Sequence, residues 1–308
     1  MISLVIPIFN EKENIDVLLE RIISNVKPLD ENYEIIFVDD GSTDTSLEQL
    51  LIHRNNNERI KILSLSRNFG QQPAYLAGLT HASGDLVCLM DGDLQDPPEL
   101  LKEFYAKIQE GHDIVYAIRE KRKENLLLKF AYWIYYRILR SVSSTPINLD
   151  SGDFCMLKKN AVQHILSSAE QSIFLRGTRS WIGFKQIGIK CEREKRHSGK
   201  PKYTLRKLFE LAYNGLFSFS NFPVKLITFL GFVSISVSLI YLGFVIYKKL
   251  VLGDVPEGFT ALILAITLFS GVQLISIGLI GEYVLRIYNE ARNRPKYIIK
   301  DRFFDNPE

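Results

Sequence analysis

Two aspartates separated by a glycine, Asp91-Gly92-Asp93, follow directly on the apolar run Leu86–Met90. A short apolar run closed by a turn signal reads as a strand buried on both faces. Two carboxylates therefore leave one strand end together. Hard divalent cations, Mg2+ or Mn2+, favour such oxygen pairs and share them with substrate phosphates. Asp39-Asp40-Gly41-Ser42-Thr43-Asp44 repeats the arrangement after the strand-like run Tyr33–Val38, and Ser151-Gly152-Asp153-Phe154 reads as a further acidic turn. Ligands of open α/β sheets gather beyond the carboxyl ends of the strands, where these acids would face a crevice.

The elements that must position them alternate in type. Ile2–Phe9, Tyr33–Val38, Ile60–Leu65, Leu86–Met90 and Asp113–Ala117 are strand-like. Pro7 inside the first predicts an edge or a bulge. Ile15, Leu18, Leu19, Ile22 and Ile23 follow helical spacing behind the capping stretch Asn10–Asn14. A second helix starts near Thr45, and a third follows Arg67-Asn68-Phe69-Gly70 with small residues at Ala74, Ala77 and Gly78. Alternation at this spacing predicts an α/β fold, a mostly parallel sheet with helices on both faces. Neither GxGxxG after the first strand nor GxxxxGK[ST] occurs, which disfavours a dinucleotide dehydrogenase and a P-loop NTPase. The net charge of +3 over 308 residues gives no sign of a nucleic-acid partner. Cys88, Cys155 and Cys191 are far apart and read as thiols in a reducing compartment, not as a disulfide framework or zinc site. Met1–Phe9 is too short for a cleavable signal before the first strand.

Ile6-Pro7-Ile8-Phe9-Asn10-Glu11, Val38-Asp39-Asp40-Gly41-Ser42-Thr43-Asp44, Arg67-Asn68-Phe69-Gly70 and Asp91-Gly92-Asp93-Leu94-Gln95-Asp96-Pro97-Pro98-Glu99 occur in that order. Together they resemble the family 2 glycosyltransferases of the GT-A fold, and within them the polyprenyl-phosphate glycosyltransferases. That group includes the bactoprenol glucosyltransferases and dolichol-phosphate mannose synthase. The resemblance implies a Rossmann-like GT-A domain, a UDP-sugar donor, a DxD-bound Mg2+ or Mn2+ and a polyprenyl phosphate acceptor at the cytoplasmic membrane face. By the same resemblance, Pro7, Phe9, Glu11, Arg67, Asn68 and Asp91 line the donor. Asp39 or Asp40 accepts an imide N–H of the base, and the choice between them stays open because strand neighbours point to opposite faces. Asp91 and Asp93 hold the metal, with Gln95 as a third ligand. Arg119 and Arg176 meet phosphate, and Asp153 matches the family's catalytic base, with Asp93 beside it in catalysis. A phosphate monoester is largely dianionic near neutrality, its second pKa being about 6, so a strong base is not required. Arg196-His197-Ser198-Gly199-Lys200-Pro201-Lys202-Tyr203 resembles the family's Arg-x-x-Gly-x-Ser-Lys-Tyr element, with Pro201 in place of serine. Arg196 and Lys202 are the acceptor-phosphate candidates there. No Gln-x-x-Arg-Trp follows, so transfer of one sugar per acceptor is expected.

Leu226–Tyr247 and Gly258–Gly281 run for 22 and 24 residues without a charge. At 1.5 Å per residue, each spans ~30 Å of hydrocarbon. Eight Lys/Arg lie between Arg193 and Lys225 and six follow Glu282, whereas Lys248–Glu257 is short and of mixed sign. The positive-inside rule places both flanks in the cytoplasm. The expected plan is a catalytic domain over 1–195, a basic turn and interfacial helix over 196–222, a transmembrane hairpin over 223–287 and a cytoplasmic tail over 288–308. Glu124–Val142 is a basic stretch with aromatics that suits an anionic membrane surface. The expected location is a bacterial inner membrane, crossed twice, with homo-oligomers supplying helix contacts. Two rival readings are a different donor sugar (mannose, N-acetylhexosamine or amino-pentose) and a silent nucleotide-sugar-binding membrane protein. Retention of Asp91, Asp93 and Asp153 together argues against the second.

Overall fold

The computed structural model describes residues 1–120, 151–168, 175–192, 222–252 and 258–304. The chain divides into two compact units. The first holds the N-terminal part and takes up the chain again from Pro295; the second contains residues 206–294.

In the first unit the elements run β1 (Ile2–Ile8), α1 (Ile15–Val26), β2 (Tyr33–Asp39), α2 (Ser46–Asn56), β3 (Ile60–Leu65), α3 (Gln71–His81) and β4 (Leu86–Leu89). A 3-10 turn at Pro98–Leu100 leads into α4 (Leu101–Gln109), then β5 (Ile114–Glu120), β6 (Ser151–Lys158), α5 (Lys159–Ser167), α6 (Leu175–Trp181) and β7 (Gln186–Glu192). The strands form one sheet in the order β7-β5-β6-β4-β1-β2-β3, and an eighth strand, β8 (Ile299–Phe303), closes the β3 edge. β1, β2, β3 and β4 are mutually parallel, as the alternation predicts. β6 enters antiparallel between β4 and β5, and β8 pairs antiparallel with β3.

Both faces of the sheet are covered. Ile2, Leu4, Ile6 and Ile8 pack with Ile15, Leu18, Ile22 and Phe104 on one side. Val5, Ile36 and Val38 pack with Ala74, Tyr75 and Ala77 on the other. This two-sided burial is why the strands read as continuous apolar runs. The small residues of α3 have a steric cause, since a Cβ at Gly78 would collide with Val5.

Three sequence expectations are corrected. β1 lies at the centre of the sheet, not at an edge. Its ladder with β4 ends at Val5↔Leu89, so Pro7 falls beyond that ladder and its missing N–H is tolerated. Asp153 belongs to a strand, β6, not to a turn. The segment after the hairpin is not a plain tail, because Ile299–Phe303 is the eighth strand of the same sheet. Lone edge strands are exposed pairing templates, and β8 covers that of β3. Arg54 Nε donates to the Phe303 carbonyl at 3.0 Å, and the Ser66 N–H donates to the Ile298 carbonyl at 2.9 Å.

The second unit contains α7 (Phe222–Tyr247), a π-helical turn at Lys248–Leu252 and α8 (Phe259–Ala291). Ile227–Tyr247 and Phe269–Ala291 are long and apolar enough to cross a membrane, with mean hydropathies of 2.3 and 1.2. α8 runs on past the charge-free stretch, and there Arg286 Nε donates to Glu282 Oε1 at 2.9 Å.

Candidate active site

Parallel β1, β2, β3 and β4 end on the same edge of the sheet, and each delivers a polar loop there. The β2 loop is fixed first. Asp40 is buried, and its two oxygens accept the Phe69 and Gly70 N–H groups at 2.7 and 2.9 Å. Burial pushes its carboxyl above the usual range, against the pull of those two hydrogen bonds. Gly41 has φ +68°, and a Cβ there would lie 2.6 Å from the Arg67 carbonyl carbon. The Asp-Asp-Gly run thus lets the Arg67–Gly70 loop lie against β2, with the Arg67 guanidinium 4.1 Å from the Phe69 ring centre.

Asp39 is differently engaged. Its Oδ1 accepts the Ser42 N–H at 3.1 Å, and its Oδ2 has a long 3.4 Å bond from Ser64 Oγ. Asn10, in the left-handed region at φ 55°, ties the β1 loop to the β2 loop through the Thr43 N–H at 2.8 Å. Glu11 is held in the same corner: its N–H donates to Ser46 Oγ at 3.0 Å, and its Oε2 accepts Asn14 Nδ2 at 2.6 Å. Asn14 therefore braces Glu11 instead of capping α1 with its side chain.

β4 delivers Asp91 and Asp93. A Cβ at Gly92 would come 2.6 Å from Ile8 Cδ1 and 3.0 Å from the Pro7 carbonyl, so the glycine allows close approach to β1. The left-handed turn itself falls on Leu94, at φ 60°. Asp93 Oδ1 accepts the Gln95 N–H at 3.2 Å, and Asp96 Oδ2 accepts the Asp91 N–H at 3.3 Å. Asp91 Oδ1 is also held from α3, by Gln71 Nε2 and by the Tyr75 hydroxyl at 2.6 Å. Gln71 and Tyr75 escaped sequence reasoning, although their i, i+4 spacing straight after the Arg67–Gly70 motif placed them on one helix face.

The antiparallel entry of β6 completes the site. Its ladder with β4 ends at Leu89↔Cys155, and continuing that register by two residues sets Asp153 opposite Asp91. Asp153 is 3% exposed and accepts two bonds from Arg176, from Nε at 2.8 Å and Nη2 at 2.6 Å. α6, which carries Arg176, begins where Gln72 Oε1 accepts the Leu175 N–H at 3.0 Å. The first turn of α3 thus touches both sides of the site. The Tyr75 hydroxyl is pushed well up, first by burial and then by the charges of Asp91, Asp153 and Asp96. Such an acidic centre suits a divalent cation. Among the described residues no three His, Cys, Asp or Glu side chains form a metal cage by themselves. Two carboxylates that share a hard ion with a diphosphate fit that arrangement.

The remaining sequence candidates divide by place. Pro7 and Phe9 are half-buried at the end of β1, and Arg67 and Asn68 are exposed on the β3 loop. Arg119 lies on β5, in register with Cys191. Arg196, Lys202, the basic stretch Glu124–Val142 and the expected interfacial helix lie outside the described residues. Cys88, Cys155 and Cys191 are buried and form no disulfide.

The acidic centre lies at the carboxyl edge of a doubly covered α/β sheet, where enzymes of that architecture bind their ligands. The profile of glycosyl transferase family 2 matches residues 3–166, and the chain belongs to that family. Its fold is GT-A, and it is a glycosyltransferase. An uncharacterised glycosyltransferase of Synechocystis is 41% identical over 302 residues, 97% of this chain and 95% of that one. The SfII prophage-derived bactoprenol glucosyl transferase of Shigella flexneri is 39% identical over 99% of both chains. Among solved structures, a mannosyltransferase from Pyrobaculum calidifontis in complex with GDP-mannose and Mn2+ is similar at 17% identity and a TM-score of 0.47. That match covers 67% of this chain and 59% of the other.

Proposed function

We propose that this glycosyltransferase moves a single hexose, glucose first among the candidates, from a UDP-sugar to a polyprenyl phosphate, with inversion. The observation that carries the reading is the Asp153–Arg176 pair at the Asp91-Gly92-Asp93 strand end, in one acidic centre. Similarity to a bactoprenol glucosyl transferase over 99% of both chains supports the acceptor class.

Asp91 and Asp93, with Gln95, would hold Mg2+ or Mn2+ on the donor diphosphate. When bound, the metal supplies charge neutralisation of the leaving nucleoside diphosphate. Asp39 is the better reader of the base, because both oxygens of Asp40 already hold the Arg67–Gly70 loop by short bonds. Pro7, Phe9, Glu11, Arg67 and Asn68 line the donor side. An acceptor phosphate oxygen attacks the sugar C1 while the C1–O bond to the diphosphate breaks. Because the phosphate is largely dianionic near neutrality, Asp153 orients the site through Arg176. Arg119, Arg176, Arg196 and Lys202 are the groups for the acceptor phosphate.

α7 and α8 are read as a membrane hairpin. β8 belongs to the catalytic sheet, so the chain after α8 returns to the compartment of that sheet, as two crossings require. The basic flanks put that compartment on the cytoplasmic side of a bacterial inner membrane. The test is the full chain in detergent with undecaprenyl phosphate, Mn2+ and a panel of radiolabelled UDP- and GDP-sugars. Label from UDP-glucose is expected in the lipid extract, and a lipid fraction free of label with every donor overturns the reading. For topology, a cysteine at Gly253 should react with an impermeant thiol reagent in intact cells and one at Asn306 should not. The opposite labelling overturns the orientation.

A further inference from the structure

α6 carries a second arginine one turn beyond Arg176, and its situation is unusual. Arg179 is 3% exposed. Its Nη1 donates to the Gly152 carbonyl at 3.3 Å, and its guanidinium lies 4.5 Å from the Tyr116 ring centre. Nε and Nη2 are buried and, among the described residues, have no hydrogen-bond partner. A charged fork left unmet in the interior is costly, so it calls for an explanation. Arg179, Arg176, Asp153 and Cys155 line one small cavity beside Leu89 and Leu175.

We propose that Arg179 is a positioning residue, the second partner of Asp153, which takes over the carboxylate when Arg176 turns to the acceptor phosphate. Three observations lead there. Arg176 uses Nε and Nη2 to hold both Asp153 oxygens, and those same two atoms are the unmet ones on Arg179. Arg176 is the more accessible of the two, with its side chain 27% exposed, whereas Arg179 is enclosed and stacked. Arg179 is also anchored to the carbonyl of Gly152, the residue before Asp153, and lines the same small cavity as the carboxylate it would receive. A buried carboxylate that gives up a cation is disfavoured, and Arg179 is the second guanidinium lining the same cavity as Asp153. With it, the paired geometry passes from one guanidinium to the other, and Arg176 is freed to grip a phosphate by two parallel bonds. No bond is made or broken covalently.

The inference rests on the acceptor being a phosphate, and two experiments separate the two claims. The first is a structure of the full-length Arg176→Ala variant. Asp153 is expected to accept Arg179 Nε and Nη2 at about 3 Å. A carboxylate that stays apart from Arg179 overturns the exchange, whatever the acceptor is. The second is kinetic, with Arg179→Gln and Arg179→Lys assayed against undecaprenyl phosphate and the donor that the panel identifies. Arg179→Gln should raise the acceptor KM roughly tenfold, the loss of one charge-assisted contact, while the donor KM and Tm hold. Arg179→Lys should recover part of the loss, because an ammonium keeps the charge without the fork. Equal rises in both KM values, or a fall in Tm with acceptor KM unchanged, would make Arg179 a packing residue and overturn the proposal. A Gln variant that does not fold counts against it as well, since the second partner is expected to be dispensable for folding.

Discussion

The two ends of the same parallel strands treat buried carboxylates in opposite ways. At the amino end, Glu34 accepts Ser3 Oγ at 2.5 Å, Lys61 Nζ at 2.6 Å and the Ser83 N–H at 2.7 Å. Burial pushes its carboxyl up, but Lys61 and the other donors outweigh that and leave it below its ordinary value of 4.5. At the carboxyl end, Asp40 is buried to a similar degree and receives only neutral backbone N–H donors at short range, and its carboxyl goes up. The difference is a lysine within hydrogen-bonding distance. One end of the sheet is neutralised and serves stability. The other pairs Asp153 with Arg176 but meets both Asp40 oxygens with backbone N–H groups, and it carries the Asp91 and Asp93 carboxylates proposed to hold a cation.

The largest break in this contrast should come at Asp93. Asp93→Asn removes charge from the acidic end, and turnover should fall on the order of 10²–10³-fold, as for other groups that stabilise developing charge. Thermal melting should stay near wild type, and chelation of metal from the wild type should reproduce the loss. Normal turnover by Asp93→Asn in EDTA would sink the metal assignment.

A smaller effect is expected at Asp40. Asp40→Ala leaves the Phe69 and Gly70 N–H groups without their carboxylate. Each unmet buried donor costs about 1–3 kcal/mol, and because these two are only partly buried a loss toward the low end, roughly 2–4 kcal/mol together, is expected. The donor KM should rise with it, because the Arg67–Gly70 loop is released. Denaturant melts beside donor titrations check this, and an unchanged donor KM would remove that loop from the donor site.

The smallest effect sharpens the amino end. Glu34→Gln should cost about 1–2 kcal/mol near neutral pH, and the cost should depend on pH. Because the folded carboxyl lies below 4.5, its stabilisation is fully present above that value and is lost as pH falls through the depressed folded value. The gap between wild type and variant should therefore close in acid. A gap that stays constant down to pH 3 would show that shape, not charge, is what Glu34 contributes.

Local pattern alone established the parallel half of the catalytic unit. Buried strands declare themselves as apolar runs, and acidic or glycine-containing loops at their ends mark the carboxyl edge, so Asp39, Asp40, Asp91 and Asp93 were legible. So were two apolar helices near the C-terminus, because length without charge is a local property. Tertiary structure decided what depends on partners distant in the chain. Asp153 read as a turn residue until the antiparallel register of β6 set it opposite Asp91. The roles of Asp39 and Asp40 separated only when the Phe69 and Gly70 N–H groups were found on one of them. The return of Ile299–Phe303 onto β3 has no sequence signal beyond a short mixed run, since an edge strand exposed on one side carries little periodic pattern. The unmet fork of Arg179 is likewise invisible in sequence. A charged residue on a short helix looks like a solvated one until the fold closes over it.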